Sequence, residues 1–371
     1  MKAIFAAGGT GGHVNPAIAA AEELRRRHPD AQILFIGTAT KIEAKTVPAA
    51  GFDFKSIDVS GFQRKLSVRN IFRNIAALFR VFKSSFQAKR IIAEFKPDVA
   101  VGFGGYVSGP VLREARKAGV KTVIHEQNAF PGVANKALAR EADAVMLTDA
   151  AAKKYLECKA APEVTGLPVR PEFLSADRDA AREKLAIPAD GKVVLSIGGS
   201  LGAETVNRNM AAAIASLHGK ARFIHGYGSR GAFTLGLLKD AGLDPENDPT
   251  LDIREYIDDM ADCLAACDLI VARSGASTLA EIAAVGRPSV LIPSPNVAEN
   301  HQYFNAKSFS DAGAAELIEE KDLDPALLSE KIDAILGDPG RAEEMGRAAK
   351  GLSVPDAAGR ICSIIERVAG L

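Results

Sequence analysis

The sequence predicts an α/β protein of two Rossmann-like, doubly wound domains facing a cleft. Three observations lead there. Nine short apolar runs (3–7, 32–36, 99–103, 122–125, 144–147, 193–197, 222–225, 269–272 and 289–292) alternate with helical patterns, the signature of βαβ units. The runs lack period-2 alternation, as expected of parallel strands covered on both faces. The opening unit also recurs. KAIFAAGGTGG (2–12) runs from strand through glycine loop into an Ala-rich helix, and KVVLSIGGSLG (192–202) repeats the pattern about 190 residues later.

Length and composition agree. A chain of 371 residues suits two domains. The boundary is expected in TGLPVRP (165–171), where two prolines and a glycine interrupt regular structure. This gives domains of 1–165 and 166–371, with a last helix near 357–368 able to pack on either. Lys+Arg and Asp+Glu both total 46, which argues against a global nucleic-acid binder. Cys158, Cys263, Cys267 and Cys362 form no CxxC pair and are expected as reduced, mostly buried thiols. The N-terminal apolar run stops at Gly8, too short for a secretory leader, and no segment reaches membrane-spanning length.

Each glycine loop follows a strand, where open α/β sheets bind ligands. In the first, GGTGGH (8–13), the helix is expected to start near Asn15-Pro16 and to favour negative charge. Val14 stands where a dinucleotide fingerprint needs its last glycine, and no Walker A motif is present. A nicotinamide oxidoreductase is therefore the weakest enzymatic reading. His13 is a candidate base, because a helix N-terminus disfavours the imidazolium; a turn histidine bonded to backbone is the alternative. In the second loop, GGSLG (198–202), Ser200 and neighbouring N–H groups suit a diphosphate, or form only a tight turn. The third is GFGGYVSGP (102–110). The fourth, RSGAST (273–278), opens a helix carrying Glu281. That carboxylate suits a ribose diol, or simply complements the helix dipole.

Polar clusters HEQN (125–128) and NHQ (300–302) end other strands, and no His pair has metal-site spacing. Charge is uneven: residues 59–93 hold eight cations and no acid, and residues 311–344 hold eleven acids. Ile71, Ile75, Leu78, Phe79, Phe82 and Phe86 recur at helical spacing among Arg69, Arg73, Arg80, Lys83, Lys89 and Arg90. This reads as a helix lying on an anionic membrane surface, or as an ordinary amphipathic core helix. Tyr and Trp are missing from the stretch, which disfavours nucleic acid.

Together GGTGGH, GFGGYVSGP, HEQN, GLPVR, GGSLGA, EYIDDM, RSGASTLAEI and NHQYFNA occur in the order that resembles the MurG family over essentially the whole chain. The resemblance implies a GT-B fold and transfer of N-acetylglucosamine from UDP-N-acetylglucosamine to the 4-hydroxyl of N-acetylmuramic acid in lipid I, giving lipid II with inversion. It implies an acceptor-binding, membrane-associating N-terminal domain and a donor-binding C-terminal domain. It places Thr10, Gly11, Gly12 and Asn128 at the donor sugar, Arg170 and Ser200 at the diphosphate, and the Ile257 backbone at uracil. Ala276, Ser277, Thr278, Leu279, Ala280 and Glu281 would hold the nucleotide, with Glu281 on the ribose and Gln302 on the sugar hydroxyls. Gly104, Gly105, Tyr106 and His125 would form an acceptor-side loop. Residues 66–92 would meet the membrane through Arg73, Ile75, Leu78, Phe79, Arg80, Phe82 and Lys83. It also implies a peripheral protein at the cytoplasmic face of the bacterial inner membrane, no tightly bound cofactor, soluble Mg²⁺ at most as a stimulant, and other cell-wall synthesis proteins as partners. Leu167 stands where some members carry Asn, a departure minor for the chemistry; His301 stands where some carry Gln, so the sugar contact is assigned to Gln302 alone. Other UDP-sugar enzymes of the same fold, glycolipid transferases or epimerases, remain the nearest rivals, followed by a membrane-recruited module that binds nucleotide sugar without turnover.

Overall fold

The computed structural model describes residues 1–59 and 68–371, with side chains outside 60–81. The chain forms two compact units, Met1–Pro168 with Asp356–Leu371, and Val169–Pro355. The first unit's seven-stranded sheet holds β1 (Lys2–Ala6), β2 (Gln32–Gly37), β3 (Asp53–Ser56), β4 (Val99–Gly102), β5 (Lys121–Glu126), β6 (Ala144–Leu147) and β7 (Glu163–Val164). Their order is β3-β2-β1-β4-β5-β6-β7, and every pairing is parallel. The second unit's sheet holds β8 (Val193–Ile197), β9 (Arg222–Gly226), β10 (Leu251–Arg254), β11 (Leu269–Ala272), β12 (Ser289–Leu291) and β13 (Ala315–Leu317). Its order is β10-β9-β8-β11-β12-β13, also parallel.

The missing alternation in the sequence has a direct cause. Phe5 and Phe35 enter one apolar layer, and their neighbours Ile4 and Leu34 enter the other. Val193 and Leu195 face one layer of the second unit, and Val194 faces the opposite one. Strands covered on both faces by helices must be apolar at consecutive positions.

The last helix, Ala357–Ala369, belongs to the first unit. Ile361, Ile364 and Ile365 sit at helical spacing and enter the Phe5 layer. The Cys362 thiol donates to the carbonyl of Ala20 (3.2 Å), and Arg27 reaches Ser363 (3.0 Å) and Glu366 (3.2 Å). Ile361→Ala is expected to lower the unfolding free energy of this unit by about 2–5 kcal/mol, because the helix is pinned at both ends of the contact and collapses poorly into the void. A urea titration checks this, and an unmoved midpoint would show that the helix docks without contributing. All four cysteines are free thiols, three of them buried.

Candidate active site

The first glycine loop connects β1 to a helix that starts earlier than the sequence suggests. That helix is Gly11–Arg27 with Thr10 as its N-cap, and Pro16 lies inside it. Proline has no N–H for the Gly12 carbonyl, so the first turn is held from its start by N–H groups of His13 and Val14 donating to Thr10 O (3.1 and 3.2 Å). His13 therefore stands in the first helical turn rather than in a loop ahead of it. Thr10 is exposed, and Gly11 and Gly12 are half-buried.

One backbone donor of the loop is already occupied. The Gly9 N–H donates to Glu43 Oε2 (3.1 Å), and Glu43 Oε1 accepts from the Thr38 N–H (3.0 Å) and hydroxyl (2.7 Å). Glu43 is fully buried. This carboxylate clamps the loop from inside, so the loop is less open to an anion than its glycine content implies. The third loop packs on the first. Gly105 has φ +74°, and a Cβ there would lie 2.3 Å from the Gly8 carbonyl oxygen. Tyr106 next to it is 63% exposed.

HEQN is organised by Glu126. One carboxylate oxygen accepts from the Asn128 N–H (2.9 Å) and Nδ2 (3.1 Å), the other from the Gly132 N–H (3.1 Å) and Asn135 Nδ2 (2.8 Å). His125 corrects the sequence reading. It lies within β5, is fully buried, and stacks on Phe103 at 5.3 Å, so it lines no open acceptor loop. Burial pushes its imidazole down to about 4, and the hydrogen bond to Gly166 only partly opposes this. Gln127, missed in the sequence, is buried and bridges His125 to His13, with Oε1 3.0 Å from His13 Nδ1.

In the second unit, the loop after β8 and the loop after β11 line one cavity of about 650 Å³. Ser200, Thr278 and Gln302 meet there. Gln302 is oriented by its own bonds: Oε1 accepts from the Ser294 N–H (2.8 Å), and its main-chain carbonyl accepts from the Ser274 hydroxyl (2.8 Å). The two donors on its Nε2 therefore suit hydroxyl oxygens. Arg273 and Glu320 also line the cavity and pair with each other, and Arg273 donates to the carbonyls of Ile292 and Pro293 (both 3.1 Å). The arginine directly after an apolar strand, ahead of Ser274-Gly275, was the sequence signal for this wall.

Glu281 lies in the helix Ala276–Val285 and is half-buried. Desolvation pushes its carboxyl up to about 7. Arg170 opposes the rise and Glu172 adds to it. Arg170 is not among the residues lining the Ser200 cavity. It caps the short helix Pro171–Leu174, pairs with Glu172 (3.0 Å) and lies over the Phe173 ring (4.8 Å). The Leu279 side chain is in the core, and Ala276, Ser277, Thr278 and Ala280 are partly exposed. Ile257 is also buried, against Gly226. His301 begins the helix His301–Asp311, with Nδ1 2.7 Å from the Ala298 carbonyl.

The helix Val68–Phe95 carries the basic stretch. Phe82 and Phe86 are 69% and 72% exposed, and Lys83 pairs with Asp58 (2.9 Å). The side chains of Arg73, Ile75, Leu78, Phe79 and Arg80 lie outside the described residues. Among the described residues, no helix is long and apolar enough to cross a membrane, and no group of three His, Cys, Asp or Glu could hold a metal ion.

Comparison with known proteins shows the family. The glycosyltransferase family 28 N-terminal domain matches residues 3–147, and the family 28 C-terminal domain matches residues 193–361. A protein of Acetivibrio thermocellus named UDP-N-acetylglucosamine–N-acetylmuramyl-(pentapeptide) pyrophosphoryl-undecaprenol N-acetylglucosamine transferase is 42% identical, covering 99% of this chain and 98% of its own. A Clostridioides difficile protein of the same name is 40% identical over 99% and 89%. The crystal structure of Acinetobacter baumannii MurG superposes with a TM-score of 0.81 at 31% identity, covering 99% of both chains. A putative UDP-N-acetylglucosamine 2-epimerase from Listeria monocytogenes reaches 0.69 at 15% identity over 98% and 95%, a likeness of fold alone. With both family 28 domains matched and full-length relatives at about 40% identity, the chain belongs to the MurG family of glycosyltransferases.

Proposed function

We propose that this chain transfers N-acetylglucosamine from UDP-N-acetylglucosamine to the 4-hydroxyl of N-acetylmuramic acid in undecaprenyl-pyrophosphoryl-MurNAc-pentapeptide, converting lipid I to lipid II. Full-length similarity to enzymes named for that transfer carries the reading. The convergence of Ser200, Thr278 and Gln302 on one cavity supports it locally.

The acceptor oxygen attacks the anomeric carbon as its proton passes to His13. The bond from that carbon to the diphosphate oxygen breaks on the opposite face, and the electron pair leaves with UDP. The developing charge is met by Ser200, by N–H groups before the helix Glu204–Leu217, and by Arg170. The exposed Arg170–Glu172 pair is worth under about 1 kcal/mol, so Arg170 is readily redirected to a phosphate. These groups supply the electrophilic assistance without a resident metal, with soluble Mg²⁺ acting only as a stimulant. Radiolabelled UDP-N-acetylglucosamine with a soluble lipid I analogue tests the reading. Acceptor-dependent UDP release with a disaccharide product supports it. Turnover without acceptor, or transfer only to diacylglycerol, replaces it with an epimerase or a glycolipid transferase.

The site of action is the cytoplasmic face of the bacterial inner membrane, where the lipid-linked acceptor resides and other cell-wall synthesis proteins work. Exposed Phe82 and Phe86 beside an acid-free cationic stretch support this. Replacing Arg73, Arg80 and Lys83 together by Gln is expected to weaken partitioning onto anionic vesicles roughly 100-fold at low salt, at about 1 kcal/mol per cation. Sedimentation with phosphatidylglycerol vesicles measures it. Equal binding before and after would leave this helix to core packing.

A further inference from the structure

A chain of hydrogen bonds in the first unit ties two histidines through one amide, and its direction follows from which groups can only accept. At one end, His125 Nε2 lies 2.9 Å from the main-chain carbonyl of Gly166. A carbonyl cannot donate, so that nitrogen carries the proton. His125 is fully buried, and its ring is held neutral, so Nδ1 is left as a lone pair. Gln127 Nε2 sits 3.0 Å from that lone pair and 3.0 Å from the His125 carbonyl. Both partners are acceptors, so the NH₂ end of the amide must face them, and Oε1 must point the other way. Oε1 is 3.0 Å from His13 Nδ1. Since Oε1 only accepts, His13 Nδ1 must donate.

We propose that Gln127, oriented by the Nδ1 lone pair and the main-chain carbonyl of His125, is a positioning residue that fixes His13 as its Nδ1–H tautomer, so that Nε2 is the lone pair available to the acceptor hydroxyl. The assignment rests on the reading of His13 as the base and adds which of its nitrogens acts and what determines it. An imidazole left to solvent favours the opposite tautomer, with the proton on Nε2 and no lone pair there. The relay therefore selects the less common, competent form before substrate arrives. Two main-chain carbonyls anchor its direction, and it cannot be reversed without setting acceptor against acceptor in a buried site.

Packing holds the rings in line. Phe103 stacks on His125 at 5.3 Å. The next residue, Gly104, leaves room for the other ring: a Cβ there would lie 2.9 Å from His13 Nδ1, 3.0 Å from Cε1 and 3.4 Å from Gln127 Oε1. GFGGYVSGP, HEQN and GLPVR thus meet on one short proton-ordering path, with Gly166 contributing only its carbonyl.

The experiment is long-range ¹⁵N–¹H spectroscopy of histidine-labelled full-length protein, whose six histidines make assignment by substitution practical. Wild-type His13 is expected to show a protonated Nδ1 and a bare Nε2. Gln127→Met keeps length and bulk but has no acceptor, and it is expected to move the proton to Nε2 or to a mixture. The same variant is expected to lose at least about tenfold in kcat, with donor KM unchanged within about twofold. Gln127→Glu, with its carboxyl protonated on the oxygen that faces the two His125 acceptors, keeps an acceptor toward His13 and is expected to restore the Nδ1–H signal at a pH where that carboxyl is neutral, which separates positioning from folding. A wild-type spectrum with the proton on Nε2 overturns the relay, and so does a Gln127→Met spectrum identical to wild type. The stated tautomers together with less than tenfold loss in His13→Ala would uphold the relay and overturn the base assignment instead.

Discussion

His13→Ala is expected to lower kcat by about 10²–10⁴-fold while UDP affinity is unchanged. The size follows from the reaction. An alcohol is a poor nucleophile until its proton is being removed, and an inverting displacement calls for one base beside the acceptor. His13 lies in the first turn of Gly11–Arg27, and with Gln127 Oε1 against its Nδ1 the other ring nitrogen is left to meet the acceptor. UDP affinity is the internal control: the residues proposed for the nucleotide belong to the second unit, whereas His13 belongs to the first. Single-turnover kinetics with saturating donor, beside a UDP titration of the same variant, measures both. A loss below tenfold with UDP binding intact would reassign His13 to positioning the acceptor.

What the sequence made legible depends on how much a residue's role is local. The nine apolar runs all became strands of the two sheets. The four strands it did not reveal, β3, β7, β10 and β13, are the two edges of each sheet. An edge strand has one neighbour and partial cover, so it carries charge: DFKS, EV, LDIR and AEL do not read as apolar runs. The same division holds at the site. Glycine loops and helix starts are contiguous in the chain and could be found by pattern. Glu43 acts on Gly9 across 34 residues, and Gln127 acts on His13 across 114. Nothing in either residue's surroundings in the chain announces such a partner. His125 was noticed for the right neighbourhood and given the wrong environment, because a histidine at a strand end reads as a loop residue until the strand is seen to run to Glu126.

Glu281 carries the second large effect, and its sign depends on pH. Its carboxyl is raised from 4.5 to about 7 by burial, so near neutrality it is half protonated without ligand. A ribose diol donates, and an ionised carboxylate accepts such bonds better than the neutral acid. Donor KM is therefore expected to fall as pH rises from 6 to 8. Hydrogen bonds to a charged group contribute about 1.5–3 kcal/mol, so Glu281→Gln is expected to raise donor KM roughly 10–100-fold at pH 8 and to flatten its pH dependence. Stability moves the opposite way. The folded protein holds this proton more tightly than the unfolded chain, so stability is lost as pH rises from 4.5 through about 7, by up to roughly 3 kcal/mol at 1.36 kcal/mol per pH unit. Glu281→Gln removes that penalty, and its Tm is expected to exceed the wild-type value at pH 8 and to match it near pH 5. The two measurements separate cause from role. A higher Tm with unchanged donor KM would leave Glu281 a buried acid that never meets the ribose. A raised KM with no change in Tm at any pH would mean that the carboxylate is solvated in the free enzyme and buried only by the donor.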